Sequence, residues 1–285
     1  MNKKGTLYLC ATPIGNLGDV SSRFLEVFRS VDIIAAEDTR QTVKLLNYFG
    51  IKKRLTSYHE HNKAEKGEIL CKMLEEGKNV ALVSDAGTPA ISDPGEDLVR
   101  LCIERDINIT SIPGPVALIN ALILSGLPAR RFAFEGFLSV NKRHRNEHLK
   151  SVSDDTHTLI FYEAPHKLKY TLADMLQAFG DRRIALVREL TKLHEEVIRT
   201  TLSEAVKLFE EKNPKGEYVI VVEGAEEASG TEAFWENMTV KEHVEYYTSA
   251  GKTDKEAIKL TASDRGIAKR EVYDAYHEII RGQEI

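Results

Sequence analysis

The chain has 285 residues, of which 42% are hydrophobic and 29% are charged, and its formal net charge is −5. This composition is typical of a folded globular protein and excludes a long disordered chain. A net negative charge excludes a uniformly basic nucleic-acid binder, so any contact with nucleic acid must come from a local basic patch. Three widely spaced cysteines predict reduced thiols in a cytoplasmic protein and no zinc site. The N-terminus predicts neither a signal peptide nor a membrane span.

Residues 1–117 alternate apolar, strand-like runs with amphipathic helical patterns. Strands are predicted at 6–11, 31–36, 54–58, 80–84 and 107–112. Helices are predicted at Ser21–Ser30, Thr39–Phe49, Lys63–Glu76 and Gly95–Arg105. The alternation predicts an N-terminal α/β domain with a mostly parallel sheet covered by helices. An apolar helix from Ala117 to Leu127 then predicts a hinge near 118–128.

Several of these strands end in unusual loops. The run Val80–Val83 leads into a loop rich in glycine, proline and aspartate, Ser84–Gly95. Three other predicted strands also end in loops rich in turn-forming or charged residues. These loops are Thr12–Asp19, Glu37-Asp38-Thr39-Arg40 and Pro113–Ala117. Since ligands bind beyond the carboxyl ends of the strands in open α/β sheets, these loops predict a shared crevice.

Residues 118–230 predict a second α/β domain, and residues 231–285 predict a small C-terminal helical appendage. The strands of the second domain are predicted at Phe132–Phe137, Thr158–Tyr162, Ile184–Arg188, Val197–Thr201 and Tyr218–Glu223, and its helices near 142–152, 166–179 and 202–211. A linker is predicted at 226–231. In the appendage, Thr239…Glu242 and Thr253…Glu256 have capping-box spacing, and a third helix is predicted at Lys269–Ile280. We interpret this acidic appendage as a packing or dimerisation element rather than a helix-turn-helix reader.

The known nucleotide and metal motifs are absent. Neither G-x-G-x-x-G nor G-x-x-x-x-G-K-[ST] occurs after the first strand, which disfavours dinucleotide binding and P-loop chemistry. His59-Glu60-His61 lacks a nearby third ligand and is interpreted as a hydrogen-bonding cluster, so no metal is predicted. The Glu37–Arg40 segment is open to two interpretations. It is either a functional site that contains an acid and a cation, or the charged first turn of a helix.

The densest basic run is Asn141–Lys150. Clustered lysine and arginine residues on an acidic protein are what local RNA binding requires. A solvated helix face is the alternative.

Several motifs together carry a family resemblance. They are Ala11–Asp19, Ala36–Arg40, Ser57–Asn62, Ser84–Gly95, Phe134–Phe137, Phe161-Tyr162-Glu163 with Pro165-His166, and Arg188–Glu195. In this order and spacing the chain resembles the ribosomal RNA small subunit methyltransferase I family, a branch of the tetrapyrrole methylase superfamily, over essentially its whole length.

The resemblance implies two α/β domains of the tetrapyrrole methylase type with the cofactor cleft between them. It implies that S-adenosylmethionine is the cofactor and that the ribose 2′-hydroxyl of a decoding-centre cytidine in 16S rRNA, within the 30S subunit, is methylated. A cytoplasmic homodimer is implied as well. The positions that match the cofactor-binding residues of the family are Pro13, Asp85, Ala86, Gly87, Thr88, Pro89, Ile91, Val116, Ala117, Phe161, Tyr162 and Leu190.

Within this reading, side chains near the strand ends are assigned chemical roles. Asp38 or Glu37 is the hypothetical proton acceptor, Arg40 the partner of the alkoxide or a phosphate, and Asn16 positions the ribose. Lys142, Arg143 and Arg145 are predicted to contact the RNA backbone. The alternatives are a methyltransferase of the same fold acting on a small molecule such as a tetrapyrrole, and an RNA-binding protein without enzymatic activity.

Overall fold

The computed structural model describes residues 3–226 and 234–281, without the side chains of 278–281. The chain divides into two compact units between Ala225 and Glu226. Part of the predicted linker at 226–231 and the predicted domain boundary at 230/231 lie outside the described residues.

The first part of the larger unit contains a five-stranded sheet in the order β3-β2-β4-β1-β5, with every neighbouring pair parallel. Its strands are β1 (Thr6–Cys10), β2 (Ile33–Ala36), β3 (Leu55–Ser57), β4 (Val80–Val83) and β5 (Asn108–Ile112). The helices between them are α1 (Ser22–Ser30), α2 (Thr39–Tyr48), α3 (Lys63–Glu75) and α4 (Glu96–Glu104). Strand β4 is completely buried because it lies in the middle of the sheet, and both of its neighbours are parallel strands. The predicted parallel α/β sheet is therefore confirmed.

Helices cover both faces of this sheet. Phe24 and Phe28 of α1 pack with Leu46 of α2 on one face. Leu70 and Leu74 of α3 pack with Leu98 of α4 on the other. Because both faces are covered, the loops at the carboxyl ends of the strands form one accessible edge.

The second part of this unit has a mixed five-stranded sheet in the order β6-β7-β10-β8-β9. Its strands are β6 (Phe132–Phe137), β7 (Thr158–Glu163), β8 (Arg183–Arg188), β9 (Glu196–Thr201) and β10 (Tyr218–Val222). Only β6 and β7 pair in parallel, and the other pairs are antiparallel. The start of β10 consequently lies at the edge where β7 and β8 end.

Four helices accompany the second sheet. They are α5 (Ala117–Ser125), α6 (Lys142–Ser151), α7 (Pro165–Phe179) and α8 (Leu202–Glu211). Leu118 and Leu122 of α5 pack on Ile160 and Val221 on one face of the sheet. Leu149, Leu168 and Leu202, from the other three helices, pack on the opposite face. Helix α5 ends at Gly126, which has a left-handed conformation with φ of 76°. The predicted apolar helix thus forms part of the core of the second sheet, and the hinge near 118–128 stays a prediction.

The smaller unit contains the helices α9 (Val240–Ser249), α10 (Asp254–Arg265) and α11 (Lys269–Arg281). The predicted capping box at the start of α9 is present, because the Thr239 N–H donates to the Glu242 carboxylate and the Glu242 N–H donates to the Thr239 hydroxyl. Val244, Ile258 and Val272, one from each helix, form its core. None of the helices in the described parts of the chain is long and apolar enough to cross a membrane.

Candidate active site

The main cavity of the larger unit has a volume of about 620 Å³. Residues that follow β1, β2, β4 and β5 line it from the parallel sheet, and residues from the ends of β6, β7 and β8 and from the start of β10 line it from the mixed sheet. A cavity of this size, between loops at strand ends, is typical of a small-molecule site. It corresponds to the predicted crevice.

The loops that follow β1 and β4 are tied together by their backbones. Thr12 and Gly87 exchange hydrogen bonds of 2.9 and 3.1 Å between their N–H groups and carbonyls. The Thr88 hydroxyl donates to the Pro115 carbonyl, 3.2 Å away, which connects the loop after β4 to the start of α5. Gly87 has φ of 84°, a left-handed conformation that favours glycine. These bonds fix the wall of the cavity before any ligand arrives.

Three carboxylates meet at one corner of the cavity, and they belong to Glu37, Asp85 and Asp93. Burial, followed by the charge of Asp85, raises the pKa of Glu37. Burial, followed by the charge of Glu37, raises the pKa of Asp93 to about 6. The backbone N–H of Asp38 donates to Asp85 Oδ1 at 2.9 Å, and this bond connects the ends of β2 and β4. Glu37 and Asp93 therefore bind protons more readily than free carboxylates do.

Asp38 and Arg40 form a hydrogen bond and an ion pair with each other. Asp38 caps α2 by accepting from the Arg40 N–H at 2.8 Å, and its carboxylate receives the Arg40 guanidinium at 2.6 Å. The hydrogen bonds from the Arg40 side chain lower the pKa of Asp38 to about 2. Of the two acids predicted as proton acceptors, Glu37 lines the cavity and Asp38 does not. Asn16 also lies outside the cavity lining, and its side chain accepts from the Gly18 N–H at 2.9 Å, capping the 3₁₀ turn Leu17–Asp19.

Most of the predicted cofactor positions line the main cavity. These are Asp85, Ala86, Gly87, Thr88, Ile91, Val116, Ala117, Tyr162 and Leu190. Pro89 is buried and is not among the lining residues, and Pro13 lines a second, smaller cavity. Phe161 does not fit its predicted role as a side chain, since it is fully buried beneath α7. Side chains alternate along a strand, so Tyr162 faces the cavity and Phe161 points to the other face of the sheet.

Several lining residues were not assigned a role from the sequence. Asp93 lies in the Ser84–Gly95 loop, and its acidic side chain was a usable signal. Phe137, at the end of β6, is 56% exposed, and its ring contacts Tyr162 edge-on at 5.4 Å. Lys192 places its ammonium 3.0 Å from Glu189 Oε1 and 3.1 Å from Glu217 Oε2. The contact between Lys192 and Glu217 joins segments 25 residues apart in sequence, so no local pattern reveals it.

The three residues predicted to contact the RNA backbone differ in burial. Lys142 and Arg143 are exposed at the start of α6. Arg145 does not fit the predicted role in RNA binding, because it is only 9% exposed and its guanidinium lies 2.6 Å from the Asp174 carboxylate. It also donates to the carbonyls of Ser139 and Val140. Arg145 therefore fastens α6 to α7.

Comparison with known proteins agrees with this architecture. The family model for tetrapyrrole (corrin/porphyrin) methylases matches residues 6–206. A protein of Halalkalibacterium halodurans named ribosomal RNA small subunit methyltransferase I is 51% identical over 96% of each chain. A protein of Bacillus subtilis with the same name is 50% identical over 96% of this chain and 94% of its own. The chain belongs to the ribosomal RNA small subunit methyltransferase I family. The predicted family and fold class are thus confirmed.

Solved structures show the same fold in more distant methylases. The methyltransferase CobJ superposes with a TM-score of 0.58, covering 78% of this chain and 95% of its own at 16% identity. The main cavity of this chain is accordingly formed on a tetrapyrrole methylase fold. At this identity the likeness concerns the fold alone.

Proposed function

We propose that this chain uses S-adenosylmethionine to methylate the ribose 2′-hydroxyl of a decoding-centre cytidine in 16S rRNA. The observation that carries the proposal is the main cavity with its corner of three carboxylates, in a chain that shares half its residues with methyltransferases named for small-subunit rRNA. The 30S subunit as substrate, a homodimer and a cytoplasmic location accompany the proposal as predictions. Methyl transfer from labelled S-adenosylmethionine to 30S subunits tests it.

The main cavity fits S-adenosylmethionine in size and chemistry. Val116, Ala117 and Leu190 provide an apolar wall, and the Tyr162 ring stands beside them. The Tyr162 hydroxyl accepts from the Leu118 N–H at 3.2 Å, which holds the ring in place. A Cβ at Gly87 would come within 3.3 Å of Ile14, so the loop leaves little room for a side chain there. When bound, S-adenosylmethionine supplies an electrophilic methyl group on a sulfonium.

Glu37 is the residue that we assign as proton acceptor. A ribose 2′-hydroxyl is a weak acid, so methylation is aided by a base near the oxygen. The raised pKa of Glu37 makes it a better base than Asp38, whose pKa is held at about 2. The negative charge of Asp85 assists, because it favours a proton on Glu37. Arg40 remains exposed beside this corner, and we assign it to the RNA backbone.

The pH dependence of the reaction follows from this acid corner. A base acts only when deprotonated, so the single-turnover rate is expected to fall as the pH is lowered through the raised pKa of Glu37, which lies above that of a free glutamate. The substitution Asp85→Asn removes the negative charge that, after burial, raises the pKa of Glu37, so the acid limb is expected to move to lower pH. Rate profiles of wild type, Asp85→Asn and the control Glu104→Gln, an exposed carboxylate on α4, provide the measurement. An unchanged acid limb in Asp85→Asn would contradict the coupling.

Lys142 and Arg143 are proposed to bind the RNA backbone. The double substitution Lys142→Gln/Arg143→Gln is expected to weaken RNA binding and to reduce the slope of log K against log [salt] by about 1.4–1.8, since each neutralised phosphate contact contributes about 0.7–0.9. The matched control is Lys72→Gln/Lys78→Gln, two exposed lysines near the amino end of β4. Filter binding of 30S subunits at several salt concentrations measures the affinity and the salt slope of each double variant. Equal slopes for the two double variants would show that α6 is not part of the RNA-binding surface.

A further inference from the structure

A second cavity, of about 320 Å³, lies between the loop that follows β1 and helix α2. Asp85 is the residue that lines both this cavity and the main one. Ile14 lines the main cavity, whereas its neighbours Pro13 and Gly15 line the second. The two cavities therefore lie on opposite sides of the same loop and meet at Asp85.

Methyl transfer needs two ligands that meet at one point. The donor sulfur, the methyl carbon and the acceptor oxygen must be aligned, with the reacting atoms about 3–3.5 Å apart. A main cavity that holds the donor leaves the adjoining cavity as a place for the acceptor. The junction at Asp85 lies beside Glu37, because the Asp85 N–H faces Glu37 Oε2 at 3.5 Å. The proposed proton acceptor is consequently close to the point where the two ligands would meet.

The lining of the second cavity has the chemistry that binds a nucleobase. Tyr48 is 66% exposed, and its ring contacts Phe49 edge-on at 4.9 Å, so the remainder of its surface is available. Leu17 is 37% exposed. Gln41 and Lys44 carry an amide and an ammonium, and the ammonium donates to the amide oxygen at 3.1 Å. Unstacked RNA bases are bound by stacking on aromatic rings and by hydrogen bonds to their edges.

Helix α2 places positive charge next to this lining. Arg40, Lys44 and Tyr48 follow one another at intervals of four residues, which puts them on one face of the helix. The side chain of Arg40 is 86% exposed, although its guanidinium pairs with Asp38. A nucleotide whose base lies against Tyr48 would therefore have two cations within reach of its phosphates.

We propose that the second cavity receives the target nucleotide of the RNA, with its base against Tyr48 and its ribose directed towards Asp85. This inference rests on the proposed function and assigns the substrate site. Tyr48 acts here as a positioning residue, because it holds the base and leaves the proton transfer to Glu37.

The test compares Tyr48→Ala, Tyr48→Phe and the control Tyr170→Ala, a tyrosine on α7 that is 70% exposed and lines neither cavity. The measurements are KM and kcat with 30S subunits and the Kd for S-adenosylmethionine by calorimetry. Loss of a base–aromatic stack of about 1–3 kcal/mol predicts an increase in KM of roughly 5- to 150-fold for Tyr48→Ala. Tyr48→Phe, which keeps the ring, is expected to remain within about twofold of wild type, and Tyr170→Ala to be unchanged.

Two results would overturn the inference. One is a KM for Tyr48→Ala equal to that of Tyr170→Ala. The other is a loss of S-adenosylmethionine binding in Tyr48→Ala, since the second cavity would then serve the donor. Failure of the wild-type protein to methylate any RNA overturns the proposed function itself, and it is seen before any substitution is made.

Discussion

Replacing Glu37 with glutamine is expected to lower the turnover of methyl transfer by about 10²–10⁴-fold, the range over which a positioned base contributes. The amide keeps the shape of the side chain but cannot take up the proton of the hydroxyl. Glu37 is only partly exposed, and its carboxylate faces the N–H of Asp85 rather than the apolar wall of the main cavity. The Kd for S-adenosylmethionine is therefore expected to stay unchanged. Single-turnover rates with 30S subunits, together with calorimetry, measure both quantities.

Asp38→Asn is the matched variant for this experiment. Asparagine is also a good helix cap, so α2 is expected to keep its start and turnover is expected to fall only a few-fold. Asp38 is adjacent to Glu37 in sequence but lies outside the cavity lining. Comparing the two variants therefore distinguishes the loss of a base from the loss of a nearby negative charge. Near-normal turnover in Glu37→Gln, or a larger loss in Asp38→Asn, would show that the acceptor is wrongly assigned.

Replacing Arg145 with alanine is expected to reduce the free energy of unfolding of the larger unit by about 3–5 kcal/mol, the cost of leaving one charge of a buried pair alone. The side chains of Arg145 and Asp174 are each 10% exposed, so water cannot solvate the Asp174 carboxylate once its partner is removed. The control Arg143→Ala removes a solvent-exposed pair with Glu147 and is expected to cost about 0–1 kcal/mol. The double variant Arg145→Met/Asp174→Leu is expected to recover most of the loss, because it leaves no unpaired charge.

Denaturant unfolding followed by circular dichroism is suitable for this measurement. The single tryptophan, Trp235, belongs to the smaller unit and would report on the wrong part of the chain. Equal midpoints for Arg145→Ala and Arg143→Ala would mean that Arg145 does not fasten α6 to α7. A loss of RNA affinity in Arg145→Met/Asp174→Leu, with stability preserved, would show that Arg145 contributes to RNA binding.

The strands and helices of the larger unit could be predicted because their patterns are local. The apolar run Val80–Val83 is buried as β4, and the loop that follows it lines the cavity as its glycines and aspartates indicated. The apolar run after Pro115 became α5 for the same reason, and its Leu118 and Leu122 are buried while Ile119 and Ile123 are exposed.

The assignment of individual side chains was less complete because it depends on direction and on distant partners. Glu37 and Asp38 are adjacent, and only the tertiary structure shows that one lines the cavity while the other caps α2. Within a basic run, Arg145 differs from Arg143 only by the face of α6 that it occupies, and its partner Asp174 is 29 residues away. The second cavity involves loop residues after β1 and β4 and residues of α2, so no single segment of the sequence contains it.

The most direct test of the proposed function is methyl transfer from labelled S-adenosylmethionine to 30S subunits purified from a strain that lacks this gene, with the modified nucleotide mapped by mass spectrometry. We expect a single 2′-O-methylcytidine in the decoding region of 16S rRNA. Binding of S-adenosylmethionine without transfer to 30S subunits or to free 16S rRNA would contradict it and would favour a small-molecule acceptor. A methyl group on a base rather than on a ribose would contradict the assignment of the hydroxyl as nucleophile.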